Sequence, residues 1–208
     1  MKAVVDNFDL IAGLLPEKAS EDTFWVIRVI SRKKDNPDLS KNSKFIKSYT
    51  VQSKQELLDL KGKIIECAAK NQARAYFNPN ARSWRKVALS TLKRIADYIS
   101  CENYSAVQFA ADRCLDEGAA PENKKKWIID IDSTTQYNPT KNVLRIVKAN
   151  IVAEIPTVNG MHIITEPFNH ENFWNMWRSY DGIDSPEIKT NNPTLLYFNR
   201  VWDDDEII

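Results

Sequence analysis

The sequence predicts an α+β protein built as two modules, residues 1–120 and 121–208, packed into one compact core. Three observations carry this. Runs of β-branched and aromatic residues, such as Thr23-Phe24-Trp25-Val26-Ile27-Arg28-Val29-Ile30, alternate with segments of helical apolar spacing. The second half orders its elements as strand, helix, strand, strand, helix, strand. At 208 residues, with 43% hydrophobic and 27% charged content, the chain is long enough to bury a core and ordinary in composition.

In chain order, Phe8–Leu15 reads as a short helix closed before Pro16, and 23–30 as a strand. A basic loop, Ser31-Arg32-Lys33-Lys34-Asp35-Asn36-Pro37, leads to a second strand near 46–51. Ser53-Lys54-Gln55-Glu56 fits a capping box, opening a helix to about residue 69. A third strand is expected at 73–78. Ser83 then caps a helix whose Trp84, Val87, Ala88, Leu92, Ile95, Ala96 and Ile99 recur as a buried stripe. A further helix is expected over 105–115.

The second half starts with Lys126-Trp127-Ile128-Ile129-Asp130-Ile131-Asp132-Ser133, a buried strand ending in two acids. A helix from Pro139 to Val147 follows, with proline near its start. Strands at 151–155 and 161–165 flank Asn159-Gly160, a strong hairpin signal. A helix at 171–178 precedes strands near 187–189 and 194–198. This is βαββαβ with one extra strand, the order of a ferredoxin-like or RNA-recognition-like sheet, with residues 1–120 as an α/β module packed on it.

The net charge of +1 conceals an asymmetry. Residues 1–100 hold 19 Lys and Arg against 11 Asp and Glu, whereas residues 101–208 hold 10 against 17. A basic half beside an acidic half suits a protein that grips a polyanion with one part and cations with the other; two charge-rich solvated surfaces are the competing reading. Arg74, Arg82, Arg85 and Lys86 are the candidates for phosphate contacts, against the plainer reading of a solvated helix start. No apolar run approaches the roughly 20 residues that cross a bilayer, so no membrane partner is expected. Acids interrupt the N-terminus too early for a secretory signal, and Cys67, Cys101 and Cys114 have no zinc spacing. A cytoplasmic protein with free thiols is expected.

Side chains alternate along a strand, so Asp130 and Asp132 share one side of it. Two like charges there are unfavourable unless a cation joins them, or unless the strand simply runs out into solvent. With these acids, Asn159-Gly160-Met161-His162 entering the third strand and an acid on a later strand, residues 120–200 resemble the archaeo-eukaryotic primase superfamily, the primase-polymerases. The resemblance implies an RNA-recognition-like palm performing template-dependent nucleotidyl transfer with Mg2+ or Mn2+. Asp130, Asp132 and Glu187 would be the catalytic, metal-holding carboxylates, with Asp184 as the substitute for Glu187. His162 would bind a phosphate of the incoming nucleotide from an open cleft, against the plainer reading of a hydrogen-bonded histidine at a strand start, and Lys189 or Arg200 would add positive charge for that phosphate. The partners would be a DNA or RNA template and nucleoside triphosphates. With no Walker-type glycine loop in this sequence, any helicase would be a separate chain.

Two other classes compete. Glu187-Ile188-Lys189 matches the Glu-x-Lys half of a metal-dependent nuclease core, which also needs an aspartate on a neighbouring strand. A non-catalytic, nucleic-acid-binding replication accessory protein would keep the basic half and ignore the acids.

Overall fold

The computed structural model describes residues 3–116 and 125–200, so the expected module boundary at 120/121 lies outside the described residues. The chain opens with β1 (Ala3–Asp6) and α1 (Phe8–Ala12). β2 (Thr23–Arg32) and β3 (Ser43–Val51) form a long antiparallel hairpin, running from Trp25 opposite Val51 to Arg32 opposite Ser43. The Ser53 hydroxyl accepts from the Glu56 amide and starts α2 (Lys54–Lys70). Glu56 reaches back one residue further than a capping box requires, accepting from the Gln52 amide at 2.7 Å. β4 (Arg74–Phe77) and β5 (Arg82–Ser83) precede α3 (Trp84–Ser100), which Ser83 caps as expected. Where one helix was expected over 105–115, a 3-10 segment (Tyr104–Phe109) runs into α4 (Ala110–Cys114).

The second module comprises β6 (Trp127–Ile131), α5 (Thr134–Ile146), β7 (Ile151–Pro156), β8 (Met161–Thr165), α6 (His170–Trp177) and β9 (Glu187–Lys189). Its strands lie in the order β7-β8-β6-β9, every pair antiparallel. α5 begins five residues before Pro139, because Ser133 and Gln136 close a capping box around the first turn. Pro139 therefore sits inside the helix, where its missing amide forfeits one helical hydrogen bond.

The extra strand, β10 (Thr194–Arg200), leaves the second module and inserts between β1 and β4, giving a first sheet ordered β1-β10-β4-β2-β3 with β5 paired to the start of β2. Residues 194–200 thus belong to the first sheet and not, as 121–208 would have it, to the second module. The cause is hydrophobic. Leu195, Leu196, Tyr197 and Phe198 are all buried, so both faces of the strand need cover, and an interior position in a covered sheet supplies it.

One core joins the two sheets. Ile27, Val29, Ala75 and Phe77 pack with Phe8 and Ile11 of α1 and Leu57 and Ile64 of α2, and the same cluster takes in Ile128, Ile155 and Ile164 of the second sheet. The opposite face of the second sheet, carrying Ile129, Ile131 and Ile163, is covered by Val143 and Leu144 of α5 and Phe173 and Trp177 of α6. The alternation along β6 is thereby assigned. Ile128 faces the first module, Ile129 and Ile131 face the helices, and Asp130 is carried to the side between the sheets.

A third cluster, Phe24, Val26, Val87, Cys114 and Leu115, lies on the other face of β2, with Phe24 stacked on Trp84 at 3.7 Å. It corrects the expected α3 stripe. Only Val87 of that helix is buried, and Leu92 is 65% exposed. Among the described residues α3 meets the sheet mainly through its first turn, and its remaining length packs chiefly against the 3-10 segment and α4. Leu92→Ser is therefore expected to shift stability by less than about 0.5 kcal/mol, whereas Phe77→Ala should cost about 3–5 kcal/mol. Equilibrium denaturation of the two variants reads the contrast; a loss above about 2 kcal/mol at Leu92 would return that residue to the core.

Candidate functional site

Asp130 sits in register opposite His162 of β8 on one side and opposite Glu187 of β9 on the other. Residues directly opposite in antiparallel strands share a face, so the three form a row across the second sheet on the side turned toward the first. Lys189, two residues beyond Glu187, lies on the same face opposite Ile128. The Lys189 ammonium donates to Asp130 Oδ2 and lies 3.2 Å from Glu187 Oε2. His162 Nε2 is 3.2 Å from Asp130 Oδ1, and its Nδ1 is 2.9 Å from the Thr194 hydroxyl at the start of β10. The imidazole thus spans from one sheet to the other. With Nε2–H directed at the carboxylate, Nδ1 accepts from the threonine in the neutral ring and donates to it in the charged one.

The side chains of Asp130 and His162 are 14% and 12% exposed, so His162 occupies a closed position and not the open cleft expected. Glu187, by contrast, is 71% exposed. Burial pushes the Asp130 carboxyl up, but hydrogen bonds from His162 and Lys189, with their charges, outweigh it and hold the group down at about 2. Lys189 moves the other way: burial lowers its ammonium, and the bonds to Asp130 and Glu187 raise it above its ordinary value.

The hairpin that delivers His162 depends on Gly160. The Thr157 amide donates to the Gly160 carbonyl at 2.9 Å, and the Gly160 amide donates to Thr157 Oγ1 at 3.1 Å. A β-carbon on Gly160 would stand 1.8 Å from the Ile131 carbonyl oxygen, so only glycine lets β8 seat against the end of β6. Buried Gln136 braces the same end. Its side-chain oxygen accepts from the Asp132 and Ser133 amides at 3.0 and 3.2 Å, and its amide donates to the Asp184 carbonyl at 2.9 Å.

Asp132 is exposed, and its charge acts on Lys34 of the basic loop. Burial is the main cause lowering Lys34, Arg74 and Arg32 lower it further, and Asp35 and Asp132 pull it back up. Asp184, the substitute third acid, is exposed and precedes β9, whereas Glu187 is in the row with Asp130. Among the described residues no three His, Cys, Asp or Glu side chains converge to hold a metal ion. With both Asp130 oxygens engaged, the set Asp130, Asp132 and Glu187 does not fit a divalent cation as the side chains are held.

Of the four basic residues expected at phosphates, two are internal. Arg74 is buried and pairs with Asp35 through Nε and Nη2, both at 2.6 Å, with Phe198 beneath its guanidinium. Arg82, its side chain 0% exposed, donates to the Asn80 carbonyl at 3.1 Å and Asn191 Oδ1 at 3.3 Å, and faces Asp116 at 3.7 Å. Arg85 and Lys86 are exposed on the first turn of α3. Sequence reasoning missed Thr194, Gln136 and Lys34. Nothing in their immediate sequence marks the first two as partners of the hairpin, but Lys34 stood in a basic loop already noted.

Two outcomes are expected. The Asp130 pKa lies below its unfolded value near 4, so its stabilisation is complete above that value and is lost as pH falls through about 2. Over that window the wild type should lose about 2 kcal/mol more than Asp130→Asn, read by urea titration; equal losses would mean that the carboxylate is not held. Gly160→Ala should destabilise by about 3 kcal/mol, because the clash is with backbone and not with a movable side chain. A neutral substitution would contradict the close approach.

No protein-family model, curated protein or solved structure was found to match the chain.

Proposed function

We propose that the protein is a nucleotidyl-transfer module of the primase-polymerase type, acting on a nucleoside triphosphate and a nucleic-acid template. The observation that carries the reading is the row His162–Asp130–Glu187 on the inter-sheet face of the second module. Its support is threefold. The order βαββαβ, with strands arranged second, third, first and fourth, is the one an RNA-recognition-like palm requires. Gly160-x-His162 is tied to Asp130 both by register and by the close backbone approach. The charge of Asp132 at the end of β6 acts on Lys34 of the first module's basic loop.

In this reading Lys34 and Lys189 offer N–H donors to phosphate oxygens, and Asp130, ionised at neutral pH, holds His162 as a positioning residue whose two ring nitrogens are both engaged. Thr194 fixes the ring from the first sheet. Template binding falls to surface cations such as Arg85 and Lys86, since Arg74 and Arg82 are buried. Mg2+ or Mn2+ is the cofactor class of this reading, although the carboxylates do not converge to hold one as they stand.

One observation favours a metal-dependent nuclease as the second reading. Asp130 supplies the aspartate that Glu187-Ile188-Lys189 lacked, on the adjacent antiparallel strand. A primed single-stranded template with nucleoside triphosphates and Mg2+ or Mn2+ separates the two. Strand extension lost in Asp130→Asn supports nucleotidyl transfer; cleavage without added nucleotide, also lost in Asp130→Asn, supports the nuclease. Neither product overturns both. For the template surface, Arg85→Ala with Lys86→Ala should reduce the log–log salt slope of single-stranded DNA binding by about 1–2 at unchanged melting temperature. An unchanged slope would move the interface elsewhere.

A further inference from the structure

The hairpin at the free edge of the first sheet concentrates positive charge that the fold leaves unspent. From Arg32 to Val51 stand six cations, Arg32, Lys33, Lys34, Lys41, Lys44 and Lys47, against two acids, Asp35 and Asp38. Asp35 is taken by Arg74, at 2.6 Å. All six cations are exposed, and among the described residues none of them closes an ion pair. An aromatic ring lies among them. Phe45 is 51% exposed on β3, the outermost strand in the order β1-β10-β4-β2-β3. Phe45 pairs with Ile30 and Ser43 with Arg32, so the ring and the Arg32 side chain share one face of the hairpin. Lys44 pairs with Ser31 and, past a bulge, Lys47 with Val29, which puts both on the other face. Among the described residues no strand lies beyond β3, so cations of both faces border the ring along the free edge.

We propose that the β2–β3 hairpin binds single-stranded nucleic acid, with an unpaired base stacked on Phe45 and the phosphates on either side of it met by Arg32, Lys44 and Lys47. Cations placed around an open ring suit a flexible polyanion whose bases have free faces. A duplex does not fit as well, because its base faces are already stacked on one another. Lysines on an edge strand also deter other strands from pairing with it. That duty gains nothing from a half-exposed phenyl ring, which works against it. The hairpin is also placed to serve the second module, since the charge of Asp132 at the end of β6 acts on Lys34. That the bound strand is a template rests on the function proposed above; that it binds at all rests on the hairpin alone.

The test titrates the full chain with fluorescently labelled oligodeoxythymidine, without nucleoside triphosphate or metal, over a series of salt concentrations. Phe45→Ala should weaken binding about five- to a hundredfold at an unchanged salt slope, and Phe45→Trp should restore it. Lys44→Ala with Lys47→Ala should reduce the log–log slope by about 1–1.5. No binding at low salt, an affinity unmoved by Phe45→Ala or a slope unmoved by the lysine pair overturns the proposal. Duplex DNA whose binding falls as far with Phe45→Ala as that of the single strand overturns it too. A readout on the unsubstituted protein guards against a variant that fails to fold: ultraviolet cross-links to the oligonucleotide should fall within residues 43–51. Cross-links confined to other segments overturn the proposal equally. Because neither nucleotide nor metal is present, failure here leaves the strand-extension test of the proposed function standing. Binding at the hairpin without extension would keep this surface and reject that reaction.

Discussion

A carboxylate enclosed between two sheets has to be neutralised where it stands, and much of this site follows from that one demand. Asp130 is on the inner face because Ile128, two residues earlier, belongs to the shared core, and alternation leaves it no other side. Once there, it needs donors from both flanking strands, and β8 and β9 supply one each. His162 in turn needs a partner for its second nitrogen, which draws β10 into contact with the second sheet. Gly160 permits the hairpin to sit close enough for the first of these bonds, and Gln136 fixes the end of β6 that presents the acids.

Much of the fold was legible because short-range signals sufficed. Ser53 and Ser83 announced their helices through caps, Asn159-Gly160 announced its hairpin, and β-branched runs announced β2 and β6. Three readings went astray, two of them because the deciding partner was distant in sequence. Ser133 and Gln136 start α5 early, but Pro139 was the louder local signal. The apolar residues of α3 carry helical spacing without a surface to bury most of them, because the sheet meets only the helix's first turn. β10 reads like any apolar strand, and its sequence does not say which sheet it joins.

The site divides along the same line. Asp130 and the Gly160-x-His162 element were visible as residues, and Glu187 as a choice between two acids. Their convergence depends on strand register, which a single sequence does not display. The basic residues misled for a related reason. Arginines clustered in sequence suggest a surface, yet Arg74 and Arg82 spend their guanidinium groups inside the protein. Arg82 holds Asn80 and Asn191 together, residues more than a hundred positions apart, and Asn80 in turn exchanges hydrogen bonds with the backbone of Lys126. Arg82 is a brace between modules, Arg74 is paired within the first, and the positive charge of both is already committed.

The return of β10 to the first sheet makes the second module an insertion. Its chain departs from the first module after α4 and comes back as an interior strand of the same sheet. Neither module is a separable bead on a string: a cut after α4 deprives the first sheet of the strand between β1 and β4, and it leaves β10 with its apolar faces bare. The histidine in the second sheet and the threonine that orients it lie on opposite sides of this join. Any opening between the sheets would therefore be registered at His162 itself, so that the integrity of the whole fold and the alignment of one imidazole become the same variable.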